Sequence, residues 1–211
     1  MRIEPRAIIF DYGNVLSAPQ ALDDVQAMAD VLDAPVEDFV PATWRHRLQY
    51  DKAELSPTAY WEAVARDCSR TLSRAQIELL SELDLRSWSH PNPVMAAWAK
   101  AVRATGLRTA ILSNMPLPMR EYLDCSCPWL PEFDQRSFSC DVGAAKPMRE
   151  IYAHCMTGLK VAPGEALFFD DRDENVRAAQ RFGMHAILFT DAGEVACQLE
   201  RSFSIPVPLR S

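Results

Sequence analysis

The sequence predicts an α/β chain, a doubly wound parallel, Rossmann-like sheet carrying an inserted all-helical cap. Three observations predict it. Short apolar runs recur along the chain, continuous and not alternating, as in strands covered on both faces. Helical patterns lie between them, and strand–helix–strand repetition builds a doubly wound sheet. One interval, from Ser17 to Ser89, breaks the rhythm with helical patterning and no convincing strand.

The elements follow in order. Ala7–Phe10 reads as the first strand. Helical stretches follow around Ala21–Leu32, Val36–Leu48, Pro57–Cys68 and Arg74–Leu83, with Ser56-Pro57 and Ser73 as start signals. An insertion of this length is more than a simple crossover. It reads as a cap over the carboxyl ends of the strands, where such sheets bind ligands. Asn92-Pro93 supplies an N-cap with proline at the first helical position, and Gly106 stops that helix. Thr109–Leu112 is the second strand, Ser137–Ser139 a weak third, Ala166–Phe169 the fourth and Ala186–Phe189 the fifth. Lys146-Pro147 is expected to open a helix, and Glu174–Phe182 forms another, closed by Gly183. Met115–Pro118 reads as a loop beside the cap, and 192–211 as an irregular end marked by Pro206 and Pro208. The expected division is a core of residues 1–16 and 90–211 with a cap of residues 17–89.

Of the 211 residues, 48% are hydrophobic and 24% charged, enough apolar material for a core without disulfide or metal staples. A net charge of −7 argues against nucleic acid or an anionic membrane as partner, but not against a small anionic ligand held by local cations. No apolar run approaches the ~20 residues of a membrane span, and the first residues carry no signal region. A cytoplasmic monomer or homodimer acting on a small metabolite is the expectation. The six cysteines are irregularly spaced, so reduced and mostly buried thiols are expected in preference to a zinc site at Cys125, Cys127 and Cys140.

Chemistry-bearing residues follow four of the predicted strands. Asp11 ends the first, before a turn that Gly13 is expected to permit. Ser113-Asn114 ends the second, offering a hydroxyl and backbone N–H groups to phosphoryl oxygens. Lys146 follows the third and adds a cation at the same mouth. Asp170-Asp171 ends the fourth, with Asn175 close behind. Carboxylates on neighbouring strand ends repel one another unless a cation sits between them, and hard oxygen ligands suit Mg²⁺. Singly, each is an ordinary cap, turn or surface residue. Together they equip the chain for phosphoryl transfer through a carboxylate nucleophile.

The segments FDYGNVL, ILSN, AKPMREIY and FFDDRDENVRAAQRFGM resemble the four motifs of the haloacid dehalogenase-like hydrolases, over nearly the whole chain. The inserted helices are similar to that superfamily's small helical cap. The resemblance implies that Asp11 becomes a phospho-aspartate. It implies Mg²⁺ held by Asp11, the Gly13 carbonyl and Asp171, supported by Asp170 and Asn175. Ser113, the Asn14 and Asn114 backbones, and Lys146 would grip the phosphate.

Gly13 departs from the phosphatase pattern, which has an aspartate there to protonate the leaving group and activate water. General acid–base help is worth about 10²–10⁴-fold. Three readings compete. In the first, the enzyme takes a good leaving group or borrows an acid from the cap. The chain is similar to the bacterial α-D-glucose-1-phosphate phosphatase branch, which shares D-x-G-N-V. The second is a 2-haloacid dehalogenase, which needs no such acid but would leave Asp170-Asp171 unneutralised. The third is an inactive binder of a phosphorylated ligand. In the cap, Arg47 and His46 are the candidates for meeting sugar hydroxyls or a second anion, His46 also for the missing acid. Trp44 and Tyr50 are candidates for stacking on a ring, against packing on Tyr60 and Trp61.

Overall fold

The computed structural model describes residues 2–207, so Met1 and Pro208 lie outside them. Among the described residues, β1 (Ala7–Phe10), β2 (Arg108–Ser113), β3 (Gln135–Phe138), β4 (Ala166–Asp170) and β5 (His185–Leu188) form one parallel sheet in the order β3-β2-β1-β4-β5. Phe10 pairs with Ile111 on one side and Phe169 on the other, so the ends of β1, β2 and β4 are level. That register brings Asp11, Ser113 and Asp170 to one edge of the sheet. β1 and β4 are the neighbours at which the winding reverses, the place where open α/β sheets bind ligands.

The continuous apolar runs have the expected cause. Ile8, Phe10, Ile111, Leu167 and Phe169 face one layer, containing α5 (Pro93–Ala104), α6 (Leu117–Ser126) and α10 (Ala192–Ser202). Ala7, Ile9, Ala110, Leu112 and Phe168 face the other, built on α8 (Arg149–Leu159) and α9 (Asp173–Phe182). Burying both faces makes the central strands apolar along their length, with Thr109 the buried exception before the strand ends.

Between β1 and α5 stand α1 (Leu22–Leu32), α2 (Val36–Asp51), α3 (Pro57–Asp67) and α4 (Arg74–Trp88). They close around their own apolar cluster, including Phe39, Tyr60, Trp61 and Leu80. Ser56 and Ser73 cap α3 and α4, the latter in a capping box with Gln76. The two chain segments joining this unit to the sheet run antiparallel. Ala18 N donates to His90 O at 2.7 Å and Asn92 N to Leu16 O at 2.8 Å.

Several expectations need correction. Lys146-Pro147 does not open a helix, because Met148 N closes a turn on Ala145 O and α8 begins at Arg149. The loop expected over Met115–Pro118 ends at Pro116, because Leu117 and Pro118 already belong to the helix Leu117–Ser126, where a proline at the start is harmless. Residues 192–202 are also helical, capped by the Asp191 side chain on Glu194 N at 2.9 Å. The cysteines are free, but only Cys155 is buried, and Cys125 is exposed. No described helix is long and apolar enough to cross a membrane.

Candidate active site

The turn after β1 builds the centre of the site. Asp11 is buried, and its Oδ1 accepts from Tyr12 N at 2.7 Å. The left-handed residue is Asn14 (φ 58°), and Gly13 has an ordinary extended conformation (φ −61°, ψ 132°). The turn therefore rests on asparagine, which tolerates that region, and not on glycine freedom. This conformation carries Asn14 Nδ2 to Asp171 Oδ2 at 2.7 Å, joining the first and fourth motifs.

Lys146 lies between two carboxylates, its Nζ 2.8 Å from Asp11 Oδ2 and 2.7 Å from Asp170 Oδ2. Burial opposes its charge, but Asp11 and Asp170 outweigh burial and hold the ammonium above its usual range. Asn114 positions it. Its side chain accepts from Lys146 N at 2.8 Å and donates to Lys146 O at 3.0 Å. The sequence assigned Asn114 a phosphate-facing backbone; its side chain has this bracing task as well. Asp170 is wholly buried and accepts from Asn175 Nδ2 at 2.9 and 3.1 Å and from Arg172 N at 2.9 Å.

Oxygens of Asp11, Asp170 and Asp171 all lie within 4.8 Å of one another. Three carboxylates gather where one ammonium pairs with two of them, which leaves an excess of negative charge. Burial, followed by the Lys146 attraction and the Asp170 repulsion, leaves the Asp11 carboxyl pushed up to about 7. An all-oxygen set short of positive charge fits Mg²⁺. Among the described residues, Cys125, Cys127 and Cys140 form no such group.

A cavity of about 580 Å³ opens above these groups. The core lines it with Asp11, Gly13, Asn14, Ser113, Asn114, Lys146 and Asp171, the cap with Trp44, Arg47, Leu48, Asp51 and Trp88. Arg47 lines the cavity, but it is not a free cation. Its Nε donates to Asp51 Oδ1 at 2.8 Å and its Nη1 to both oxygens of Asp84 at 3.1 Å. His46 does not reach the cavity and bonds Asp67 Oδ2 at 2.9 Å, beside Arg45. Helical geometry explains the split, since adjacent residues 46 and 47 point about 100° apart around the helix. Tyr50 stacks on Tyr60 at 4.2 Å inside the cap, whereas Trp44 is 52% exposed.

Three cap residues of the cavity, Leu48, Asp51 and Trp88, were not singled out by sequence. Asp51 carried one signal, its i,i+4 spacing from Arg47. Trp88 ends α4, and its ring carbon Cζ3 lies 3.5 Å from where a Cβ on Gly13 would stand.

The family model for haloacid dehalogenase-like hydrolases matches residues 5–183. Acyl-CoA dehydrogenase family member 10 of Mus musculus is 28% identical over 97% of this chain, which spans 20% of that protein's length. Sesquiterpene phosphatase astK of Aspergillus oryzae is 26% identical, over 93% of this chain and 95% of its own. The fold matches the HAD family enzyme bt-2542 of Bacteroides thetaiotaomicron with a TM-score of 0.74 at 19% identity, covering 96% of this chain and 100% of that one. The same enzyme has been crystallised with magnesium and inorganic phosphate, and that structure matches with a TM-score of 0.70 at 17% identity, over 89% and 94% of the chains.

Proposed function

The chain belongs to the haloacid dehalogenase-like hydrolases, and on that premise we propose that it is a Mg²⁺-dependent phosphatase of small phosphorylated metabolites. The observation carrying this reading is the triad of Asp11, Asp170 and Asp171 about one buried lysine at the floor of a cavity. Asp11, the Gly13 carbonyl and Asp171 would hold Mg²⁺, with Asp170 behind them, and the cation would neutralise phosphoryl charge when bound.

Asp11 attacks phosphorus and forms the aspartyl phosphate while the ester oxygen leaves. Lys146, braced by Asn114 and Asp170, favours the ionised form of Asp11 against burial and faces the phosphoryl oxygens. Ser113 and the backbone N–H groups of Asn14 and Asn114 take the remaining oxygens. Water then releases phosphate. The named activity of astK and the magnesium and phosphate in bt-2542 support this reading. A dehalogenase would leave three carboxylates crowded about one cation, a cost without a use.

The finer reading is a hexose 1-phosphate. Gly13 offers no acid, and an anomeric oxygen leaves more readily than a primary alkoxide. The half-exposed Trp44 indole presents a flat face to a sugar ring. Phosphate release from a panel of esters, with and without Mg²⁺ and beside Asp11→Asn, tests both levels. Metal-dependent release lost in Asp11→Asn is expected, with 1-phosphates ahead of 6-phosphates. Silence on every ester with Mg²⁺ still bound would point to the ligand-binding alternative.

A further inference from the structure

We propose that Asp51 is the general acid and base of this site, supplied by the cap in place of the carboxylate that residue 13 lacks. The proposal rests on the phosphatase reading above. Four carboxylates line the cavity, namely Asp11, Asp51, Asp171 and Glu174. Asp11 is the nucleophile, Asp171 belongs to the triad and is tied to Asn14, and Glu174 is an exposed partner of Arg172. Asp51 is buried and paired within the cap to Arg47, which Asp84 also holds, and it has no part in the phosphate or metal chemistry assigned above.

Its placement is fixed from both domains. Asp51 is the last residue of α2, and its carbonyl accepts from Ser139 Oγ at 2.5 Å. The same Oγ accepts from Met115 N at 2.9 Å, so the end of α2 is pinned to the loop that follows Ser113-Asn114. On the cap side the Asp51 carboxylate holds Arg47, whose guanidinium lies 6.0 Å from the Trp88 ring, which in turn covers Gly13. The carboxyl thus lines, from the cap, the same cavity that Asp11 and Gly13 line from the core, close enough to Lys146 to feel its charge.

Its surroundings suit a group that must both give and take a proton. Arg47 and Asp84 face it from the cap, Lys146 and Cys140 from the core, and Tyr50 and Tyr60 from the packed helices. Burial outweighs the attraction of Arg47 and Lys146, pushing the carboxyl up to about 6. Both protonation states are therefore within reach near neutrality, the condition for acid–base catalysis. In the first half-reaction the Asp51 carboxyl protonates the ester oxygen as its bond to phosphorus breaks and the bond to Asp11 forms. The alcohol leaves. In the second, the Asp51 carboxylate takes a proton from the water whose oxygen attacks phosphorus. The bond to Asp11 breaks, phosphate departs and Asp51 is protonated again.

Leaving-group dependence tests the assignment. Wild type and Asp51→Asn are compared, with Mg²⁺, on an alkyl phosphate and on p-nitrophenyl phosphate, whose leaving group departs as an anion. Asp51→Asn is expected to lose about 10²–10⁴-fold on the alkyl ester. On the aryl ester it should release a stoichiometric burst of p-nitrophenolate and then turn over slowly, with phosphate trapped on Asp11. Asp51→Glu should recover part of the alkyl-ester rate. Loss of both esters in parallel without a burst would make Asp51 a structural partner of Arg47 and overturn the proposal. Alkyl-ester turnover within about threefold of wild type would overturn it too. Should Asp51→Asn not fold, the wild-type pH profile decides, through an alkaline limb in alkyl-ester turnover that the aryl-ester burst lacks. If wild type hydrolyses neither ester, the phosphatase reading itself fails, a result separate from any of these.

Discussion

Lys146 Nζ sits 2.8 Å from Asp11 Oδ2 in a pocket that leaves the lysine 3% exposed, so the counterion of Asp11 is also a structural part of the domain. Lys146→Met would leave Asp11 and Asp170 as adjoining buried carboxylates without a cation. Breaking a buried pair from one side costs about 3–5 kcal/mol. The variant is therefore expected to melt well below wild type without metal, to recover part of the loss in Mg²⁺, and to lose at least about 10²-fold in turnover. Calorimetry with and without Mg²⁺, beside phosphate release, checks all three.

The sheet and the cap helices were legible in the sequence because both faces of every central strand are covered, which made the runs uninterrupted and the strand-end residues conspicuous. Asp11, Ser113 and the Asp170-Asp171 pair converge through strand register, and the Asn114 side chain brings Lys146 to them. What could not be read was direction around a helix. His46 and Arg47 are adjacent in the chain, yet one faces Asp67 and the other the cavity. Nor could the sequence show that Asp84, on a different helix, would share Arg47 with Asp51 and cancel its charge. Asp51 stayed hidden because its surroundings are assembled from α2, α4 and the core together.

Magnesium should stabilise the fold by relieving the repulsion among Asp11, Asp170 and Asp171. A ligand present at a hundred times its dissociation constant contributes about 2.7 kcal/mol, or about 5–10 °C for a chain of this size. Asp171→Asn is expected to abolish most of that rise while leaving the metal-free melting temperature the same or higher. Thermal melts over a Mg²⁺ titration measure it. A full rise in the variant would remove Asp171 from the ligand set.

Gly13 is predicted to be replaceable by alanine without loss of stability. Its φ of −61° is open to any residue, and the added Cβ would meet Trp88 at 3.5 Å, ordinary contact. The gain from a stiffer unfolded chain is about 0.4–1 kcal/mol. Gly183, at φ 102°, is the contrast, and Gly183→Ala should cost about 1–2 kcal/mol. Equal destabilisation in urea melts of both variants would mean that the turn after β1 needs glycine after all.

The Asp51 carboxyl gives a stability prediction with a definite sign. Its proton is held up to about pH 6 in the folded chain, against an ordinary value of 3.8. Folding therefore takes up a proton between roughly pH 4 and 6, and metal-free stability falls as pH rises through that window. Above it the penalty reaches about 3 kcal/mol at 1.36 kcal/mol for each tenfold change in proton affinity. Asp51→Asn cannot ionise and keeps Arg47 paired with Asp84. Its stability relative to wild type should be near zero at pH 4 and rise towards that figure by pH 8, measured by urea unfolding without Mg²⁺. A difference that does not vary with pH, or a variant weaker at pH 8, would mean that the Arg47 ion pair outweighs burial. With the predicted sign, a buried carboxylate is retained at the cavity wall although it weakens its own domain at neutral pH. Packing gives no reason to keep such a group, and proton transfer does.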